Sequence, residues 1–443
     1  MPRSIRSHLA CAALGCTLAG CGSGTTGDSA TGSDLDAQSN ADSDAASTDS
    51  GSDGGGIPAP GDSGSDSSSE GGDGAVVGDG TTALDASSEG SMGTDATGAD
   101  ATGSEGGGDA DGSGDADAPG VRIVGRAITG TAGPRFEWSG TNLAARFTGT
   151  QVSVELNDGA NLNEFDVVVD GTVQANLVTR SGTTTYALAN GLADETHDLL
   201  LWRRTEASYG YTEFLGLTGF SAGGALLAPP PAPAHRIEIV GDSISCGYGI
   251  EGTSSCTNAQ LESIENNYLA YGSIAARSLG ADVVTVAWSG IGVYRNYDEV
   301  GPSTNTMPDR YDYSIPTTLT AWDFSKYQPQ AVVINLTSND FSTMGDPGQP
   351  YIDAFVAFVR HIRTKYPDAY FFLVIEWRGN GSDSGPDVNT VVSTIQSGGD
   401  PNIESFDIRP FADGNGCQGH PDVAGGLSMG NALAAEIKRV LGW

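Results

Sequence analysis

From Gly22 to Gly120 the chain contains neither lysine nor arginine and almost no large apolar residue. Glycine, serine, aspartate, alanine and threonine fill nearly all of it. Such a stretch cannot bury the apolar surface that would offset its ordering entropy, so it excludes a packed domain there and predicts a disordered, self-repelling acidic tether over residues 22–120. Much of the formal charge of −35 belongs to this tether. The sign of the charge argues against nucleic acid as a partner and says little about any active site. The apolar run at the amino terminus, LACAALGCTLAG over residues 9–20, is too short to span a bilayer. No cluster of His, Cys, Asp and Glu has credible metal-ligand spacing, and neither a metal nor another cofactor is expected.

What is present at the amino terminus is a secretory pattern: Arg3 and Arg6, then the apolar run, then Cys21. The stretch Leu18-Ala19-Gly20-Cys21 is similar to the lipobox of bacterial lipoproteins, which implies cleavage before Cys21 and lipid on its sulfur. On that reading residues 1–21 are the signal, and an exported, lipid-anchored envelope protein is expected, with plain secretion as the alternative. Of the cysteines beyond the anchor, Cys246, Cys256 and Cys417 can form one disulfide and leave one thiol, with the pairing open.

Residues 121–227 carry alternating apolar runs, ARFTGTQVSVEL, EFDVVVDGTVQANLV and THDLLLWRRT, broken by the turn signals NDG and VDG. That pattern predicts an antiparallel β-sandwich. The proline-rich 228–234 sets a stiff boundary. From 235 to 443 the pattern changes to short apolar strands, RIEIVG, ADVVTVAW, AVVINL, AYFFLVIE and IESFDI. Helix-period segments lie between and after them: SIENNYLAYGSIAARSLG, YIDAFVAFVRHIRTKY and LSMGNALAAEIKRVL. Alternation of this kind predicts an α/β domain, a parallel sheet with helices on both faces and ligands at the carboxyl ends of its strands.

Ser243 follows the first of these strands in EIVGDSISCGYG, where a small-residue turn can hold an activated hydroxyl at the sheet edge. A serine nucleophile needs a base. His197 lies in the sandwich, His235 precedes the first strand and His361 sits on a polar helix face, which leaves His420, in the glycine-rich loop DGNGCQGHPDVAGG before the last helix. Acyl transfer also needs oxyanion donors: Gly290 in AWSGIGVYRN and Asn339 in VINLTSNDFS both follow later strands, and the Ser243 amide joins them.

Gly-Asp-Ser, a glycine after the second strand, Asn-Asp after the third and a late His-Pro, in that order, resemble the four blocks of SGNH hydrolases. The longer stretches IVGDSISCGYGIEG, NNYLAYGSIAARSLGA, AWSGIGVYRNY, WDFSKYQPQAVVINLTSNDFS and ADGNGCQGHPDVA resemble carbohydrate esterase family 2. RFEWSG, RFTGTQVSVELND, VVVDG and LWRRTEAS are similar to that family's amino-terminal jelly roll. The resemblance implies an SGNH α/β domain behind a jelly-roll domain, Ser243 as nucleophile, His420 as base, and an oxyanion hole of Ser243, Gly290 and Asn339. It implies removal of O-acetyl groups from polysaccharide by a serine esterase; a monomer is expected, and a serine mechanism requires no metal. Trp288, Tyr294 and Trp377 are candidate stacking residues for sugar.

Three positions depart from the family. Gln418, two before His420, stands where relatives have Asp, and Cys417 occupies the position three before it; neither supplies a carboxylate. Some relatives hold the ring of a serine-histidine dyad by a backbone carbonyl instead. Thr337 and Gly426 replace a usual glycine and a second histidine. Two other readings compete with the esterase: a surface carbohydrate-binding protein with a decayed site, and an SGNH lipase or thioesterase.

Overall fold

The apolar-polar alternation of NLAARFTGTQVSVELND places Val152, Val154 and Leu156 on one buried face, with more exposed neighbours between them. This 17-residue strand is the spine of the amino-terminal half in a computed structural model that describes residues 120–159, 163–376 and 382–443. Cys21, the tether and Trp377 lie outside the described residues. Eight strands, β1 (Val121–Val124), β2 (Ala127–Thr129), β3 (Pro134–Phe136), β4 (Asn142–Asp158), β5 (Glu164–Val169), β6 (Thr172–Val178), β7 (Gly182–Arg203) and β8 (Thr212–Thr218), form this half. All their pairings are antiparallel, in the order β2-β3-β8-β4-β7-β5-β6, with β1 on β4. They make one hydrogen-bonded sheet rather than two separate ones, because β4 and β7 are long and their ladder shifts register near Gly149 and Val152. Phe136, Phe147, Phe165 and Leu201 fill its core.

The second half is α/β. In chain order it contains β9 (His235–Gly241), α1 (Ser243–Cys246), α2 (Leu261–Ile264), α3 (Tyr271–Leu279), β10 (Ala281–Ala287), α4 (Met307–Arg310), a hairpin of β11 (Tyr313–Ile315) and β12 (Thr320–Ala321), and β13 (Ala331–Asn335). It continues with α5 (Gln349–Lys365), β14 (Tyr370–Ile375), α6 (Gly385–Ser397), β15 (Ile403–Asp407) and α7 (Val423–Leu441). Five parallel strands run β10-β9-β13-β14-β15. The order reverses at β9, so the crevice outside its carboxyl end is the switch point of the sheet. Residues alternate between two cores along β9: Val240 packs with Phe355 and Val359 of α5 and Val391 of α6, whereas Ile237 and Ile239 pack with Ala275 of α3 and Leu433 of α7.

Two helices differ from the sequence reading. Residues 263–280 do not form one helix: they begin in the end of α2 and reach α3 only at Tyr271, because the Asn266 side chain accepts from Tyr268 N at 2.9 Å and stabilises a separate turn between the two. The last helix starts at Val423, four residues earlier than its apolar period, with Asp422 accepting from the amides of Ala424 and Gly425. Its first turns are glycine-rich for packing. A Cβ at Gly426 would lie 2.6 Å from the carbonyl oxygen of Leu269, so no histidine fits there. The sequence pattern does not show helix α6, because it starts directly after the glycine- and serine-rich 379–384 and is rich in β-branched residues.

The two halves share their cores. Val124, Trp138 and Ala207 join the α5–α6 side, and Trp202 joins the α3–α7 side. Arg126, fully buried, pairs with the equally buried Glu238 of β9 at 2.9 Å, and Tyr311 and Tyr366 both donate to the same carboxylate. Removal of one partner from such a pair costs about 3–5 kcal/mol, since it strands a buried charge.

Candidate active site

The first strand of the parallel sheet delivers Ser243 as the opening residue of the one-turn helix α1. Gly241 is required just before it, since a Cβ there would sit 2.0 Å from Ser245 Oγ. Asp242 caps this turn by accepting from Ile244 N at 3.1 Å, and it also accepts from Ser338 Oγ at 2.8 Å and Asn339 Nδ2 at 3.2 Å. Burial is the main cause of its raised pKa, pushed up to about 7, and the nearby Asp340 adds to it against the pull of those hydrogen bonds.

Asp340 in turn holds the loop after β10. Its carboxylate accepts from the amides of Val293, Tyr294 and Arg295 at 2.7–2.8 Å. Burial raises its pKa to about 6, against the pull of those amides. Gly290 begins this loop at φ +80°, a backbone state that favours glycine. One residue earlier, Ser289 N donates to Glu206 Oε2 at 2.6 Å. Glu206 lies between β7 and β8, so the β-rich half reaches beneath the strand ends.

The histidine stands on different support. His420 Nε2 lies 2.7 Å from Ser243 Oγ, and Nδ1 lies 3.1 Å from the carbonyl oxygen of Cys417. Because a carbonyl only accepts, Nδ1 carries the proton and Nε2 faces the serine as acceptor. Burial pulls the imidazole pKa below its usual value, opposed by the backbone hydrogen bonds at Cys417 and Gln418. The Tyr248 ring packs 4.6 Å from the imidazole. Gln418, in left-handed backbone at φ 53°, turns its exposed side chain away: Tyr248 Oη donates to Gln418 Oε1 at 3.1 Å, and Gln418 Nε2 donates to Asn258 Oδ1 at 2.6 Å. Cys417 is disulfide-bonded to Cys256, and Cys246 is the buried free thiol.

These groups open onto a cleft of about 520 Å³ lined by Ser243, Ser289, Gly290, Asn339 and His420 among others. The other described histidines are engaged elsewhere: His197 with Asp170, His361 with Asp312, and His235 stacked on Trp443. Asn339 Nδ2 lies at the cleft wall and donates to Ile291 O at 2.9 Å as well as to Asp242. Trp288 and Tyr294 do not line the cleft. Trp288 packs edge-on against Trp138 beneath the Arg310 guanidinium, and Tyr294 packs on the α5–α6 core. Among the described residues the aromatic rings that do line it are Tyr248 and the exposed Tyr297, together with the buried Glu376 at the end of β14. Tyr248 belongs to the glycine-rich stretch after Ser243, which was its available signal, and Glu376 follows a strand directly, so position at a strand end was the signal there.

A five-stranded parallel sheet with a serine at its switch point and a histidine before its last helix defines the SGNH hydrolase fold. The family model "GDSL-like Lipase/Acylhydrolase family" matches residues 239–425, and "Carbohydrate esterase 2 N-terminal" matches residues 123–230. A family two carbohydrate esterase from Clostridium thermocellum, solved in complex with cellohexaose, is 39% identical, with a TM-score of 0.68, over 73% of this chain and 100% of that one. The chain belongs to carbohydrate esterase family 2. Among curated proteins, the cellulase/esterase CelE of Acetivibrio thermocellus is 40% identical over 74% of this chain, which spans only 40% of that relative's length. An acetylxylan esterase / glucomannan deacetylase of Cellvibrio japonicus is 26% identical over 69% of this chain and 86% of its own.

Proposed function

We propose that this chain is a serine esterase that removes O-acetyl groups from plant cell-wall polysaccharides of the xylan or glucomannan type. The observation that carries this reading is the 2.7 Å approach of His420 Nε2 to Ser243 Oγ at the cleft wall. Ser243 Oγ attacks the acetyl carbonyl while His420 takes its proton, and the imidazolium then gives that proton to the departing sugar oxygen. Water, activated by the neutral imidazole, releases acetate from Ser243. The oxyanion is held by the amides of Ser243 and Gly290 and by Asn339, whose longer hydrogen bond, to Asp242, is the one an incoming oxygen displaces. The substrate class follows the acetylxylan esterase and glucomannan deacetylase among the relatives.

In this proposal Cys21 carries lipid, residues 22–120 tether a monomeric catalytic region to the cell envelope, and the acidic tether keeps it clear of anionic surfaces. The test is acetate release by the full chain from acetylated xylan, acetylated glucomannan and a chromogenic acetate, with Ser243→Ala as control. Release from none of them, or release that survives in Ser243→Ala, overturns the reading.

A second reading rests on the 39% identical relative solved with cellohexaose: an unacetylated β-glucan occupies the same cleft as a ligand, against the exposed ring of Tyr297. Calorimetric titration of Ser243→Ala with cellohexaose tests it, and absence of heat refutes it.

A further inference from the structure

Cys417 controls His420 by three separate links. Its carbonyl accepts both from His420 Nδ1 at 3.1 Å and from His420 N at 3.1 Å, so ring and backbone hang on one oxygen. Its own amide donates to Gly249 O at 3.1 Å. Its sulfur is bonded to Cys256. The segment around Cys256 adds a second connection two residues on, where Gln418 Nε2 donates to Asn258 Oδ1 at 2.6 Å. Between β15 and α7 the loop itself contains only two 3-10 turns, of three residues each. Gly249 is glycine for the same contact: a Cβ there would sit 2.4 Å from Cys417 Cβ.

We propose that the Cys256–Cys417 disulfide is a positioning element for the catalytic base, doing the orienting work that a carboxylate does in a triad, so that the oxidation state of this pair sets the turnover rate. The proposal rests on the esterase reading of Ser243 and His420. A carboxylate holds an imidazole directly; here the ring is held by a backbone oxygen, and a backbone oxygen is only as well placed as its residue. With the sulfur–sulfur bond intact, Cys417 is fixed at its amide and its side chain together. Reduction by a dithiol transfers two electrons and two protons to the pair, giving two thiols, while the reductant closes to its own cyclic disulfide. The carbonyl of Cys417 is then held only by hydrogen bonds of its loop, from Cys417 N to Gly249 O, from Gly416 N to His420 O and through the exposed Gln418 rung. A base displaced by about 1 Å can cost up to about 10²-fold in rate. Partial loosening is expected to cost about tenfold.

The experiment uses the full chain at a temperature where circular dichroism reports a folded protein. Acetate release from a chromogenic acetate is followed in the wild type before and after dithiothreitol, after reoxidation, and in Cys256→Ala and Cys256→Ala/Cys417→Ala. Thiol titration establishes that two further thiols appear on reduction. The expected result is a kcat lowered about tenfold with KM within twofold, unchanged far-ultraviolet dichroism, recovery on reoxidation, and variants that share the low kcat and ignore the reductant. Full kcat after the two thiols have appeared overturns the positioning role, and so does a loss of dichroism in step with the loss of rate. Where the variants fold poorly, the wild-type reduction and reoxidation series decides alone. A wild type without Ser243-dependent hydrolysis overturns the esterase reading itself, whereas an active wild type indifferent to reduction overturns only this inference.

Discussion

The two sides of the cleft are held in place by different chemistry. On the serine side, buried carboxylates do the holding: Asp242 ties the α1 turn to Ser338 and Asn339, Asp340 gathers three consecutive amides of the Gly290 loop, and Glu206 takes Ser289 N. On the histidine side no described carboxylate bonds Nδ1: the Cys417 carbonyl accepts from it, the disulfide holds Cys417, and the Tyr248 ring packs on the imidazole. The difference suits the tasks. The serine side must present fixed dipoles to a developing oxyanion, and a carboxylate that accepts several amides makes a stiff anchor even after its desolvation cost. The histidine must be neutral before reaction. A neighbouring carboxylate would raise its pKa, whereas burial beside a neutral carbonyl lowers it. The base is thereby ready at lower pH, and it forgoes the carboxylate's stabilisation of the imidazolium.

Four substitutions break or sharpen this contrast. The largest effect is expected from Ser243→Ala, which removes the atom on which both sides converge: acetate release should fall by roughly 10⁴-fold or more, measured on acetylated xylan. Asp340→Ala comes next. It leaves three amides without their acceptor and should lower unfolding stability by about 3 kcal/mol or more, read by chemical denaturation, with kcat falling as the Gly290 loop loosens. Glu206→Ala frees Ser289 N together with the Ser208 hydroxyl and the Cys246 thiol, and should cost about 1–3 kcal/mol, with a kcat loss on the order of tenfold. A wild-type kcat in that variant would show that the β-rich half contributes nothing to the chemistry. The smallest effect is expected from Gln418→Asp. Position 418 points toward Tyr248 and Asn258 while the Cys417 carbonyl already satisfies Nδ1, so kcat should change by less than about threefold, well below the roughly 10⁴-fold that a triad aspartate is worth. A large gain would mean that the new carboxylate reaches the ring after all.

Sequence pattern carried the parallel sheet, because its strands are short apolar runs and its turn residues stand at their ends. It also carried the serine, the histidine, Gly290 and Asn339, since each directly follows a strand or precedes the last helix. The start of α7 was obscured because glycines at 425, 426 and 430, which pack closely against Asp413, Leu269 and Ile274 of α3 respectively, dilute its apolar period. The supports of the site were less legible. Glu206 and Asp340 act across sequence separations of 83 and 45–47 residues, and three cysteines allow more than one pairing. Trp288 and Tyr294 were placed at the cleft by aromatic character alone; Trp288 is claimed by Trp138 and Arg310, partners contributed by distant segments.

The pH dependence of kcat/KM for acetate release tests the central claim most directly, namely that His420 serves as a base held by a neutral backbone oxygen. A buried imidazole with a lowered pKa is protonated, and so disabled, only as pH falls through a value below its ordinary 6.5. The acid limb that is lost from the trace activity of His420→Ala should therefore have its midpoint below 6.5, whereas any limb from Asp242 or Asp340, whose pKa values are pushed up to about 7 and about 6, should persist in that variant. A midpoint at or above 6.5 for the limb that disappears in His420→Ala would contradict the account, because it would require an anionic partner at Nδ1.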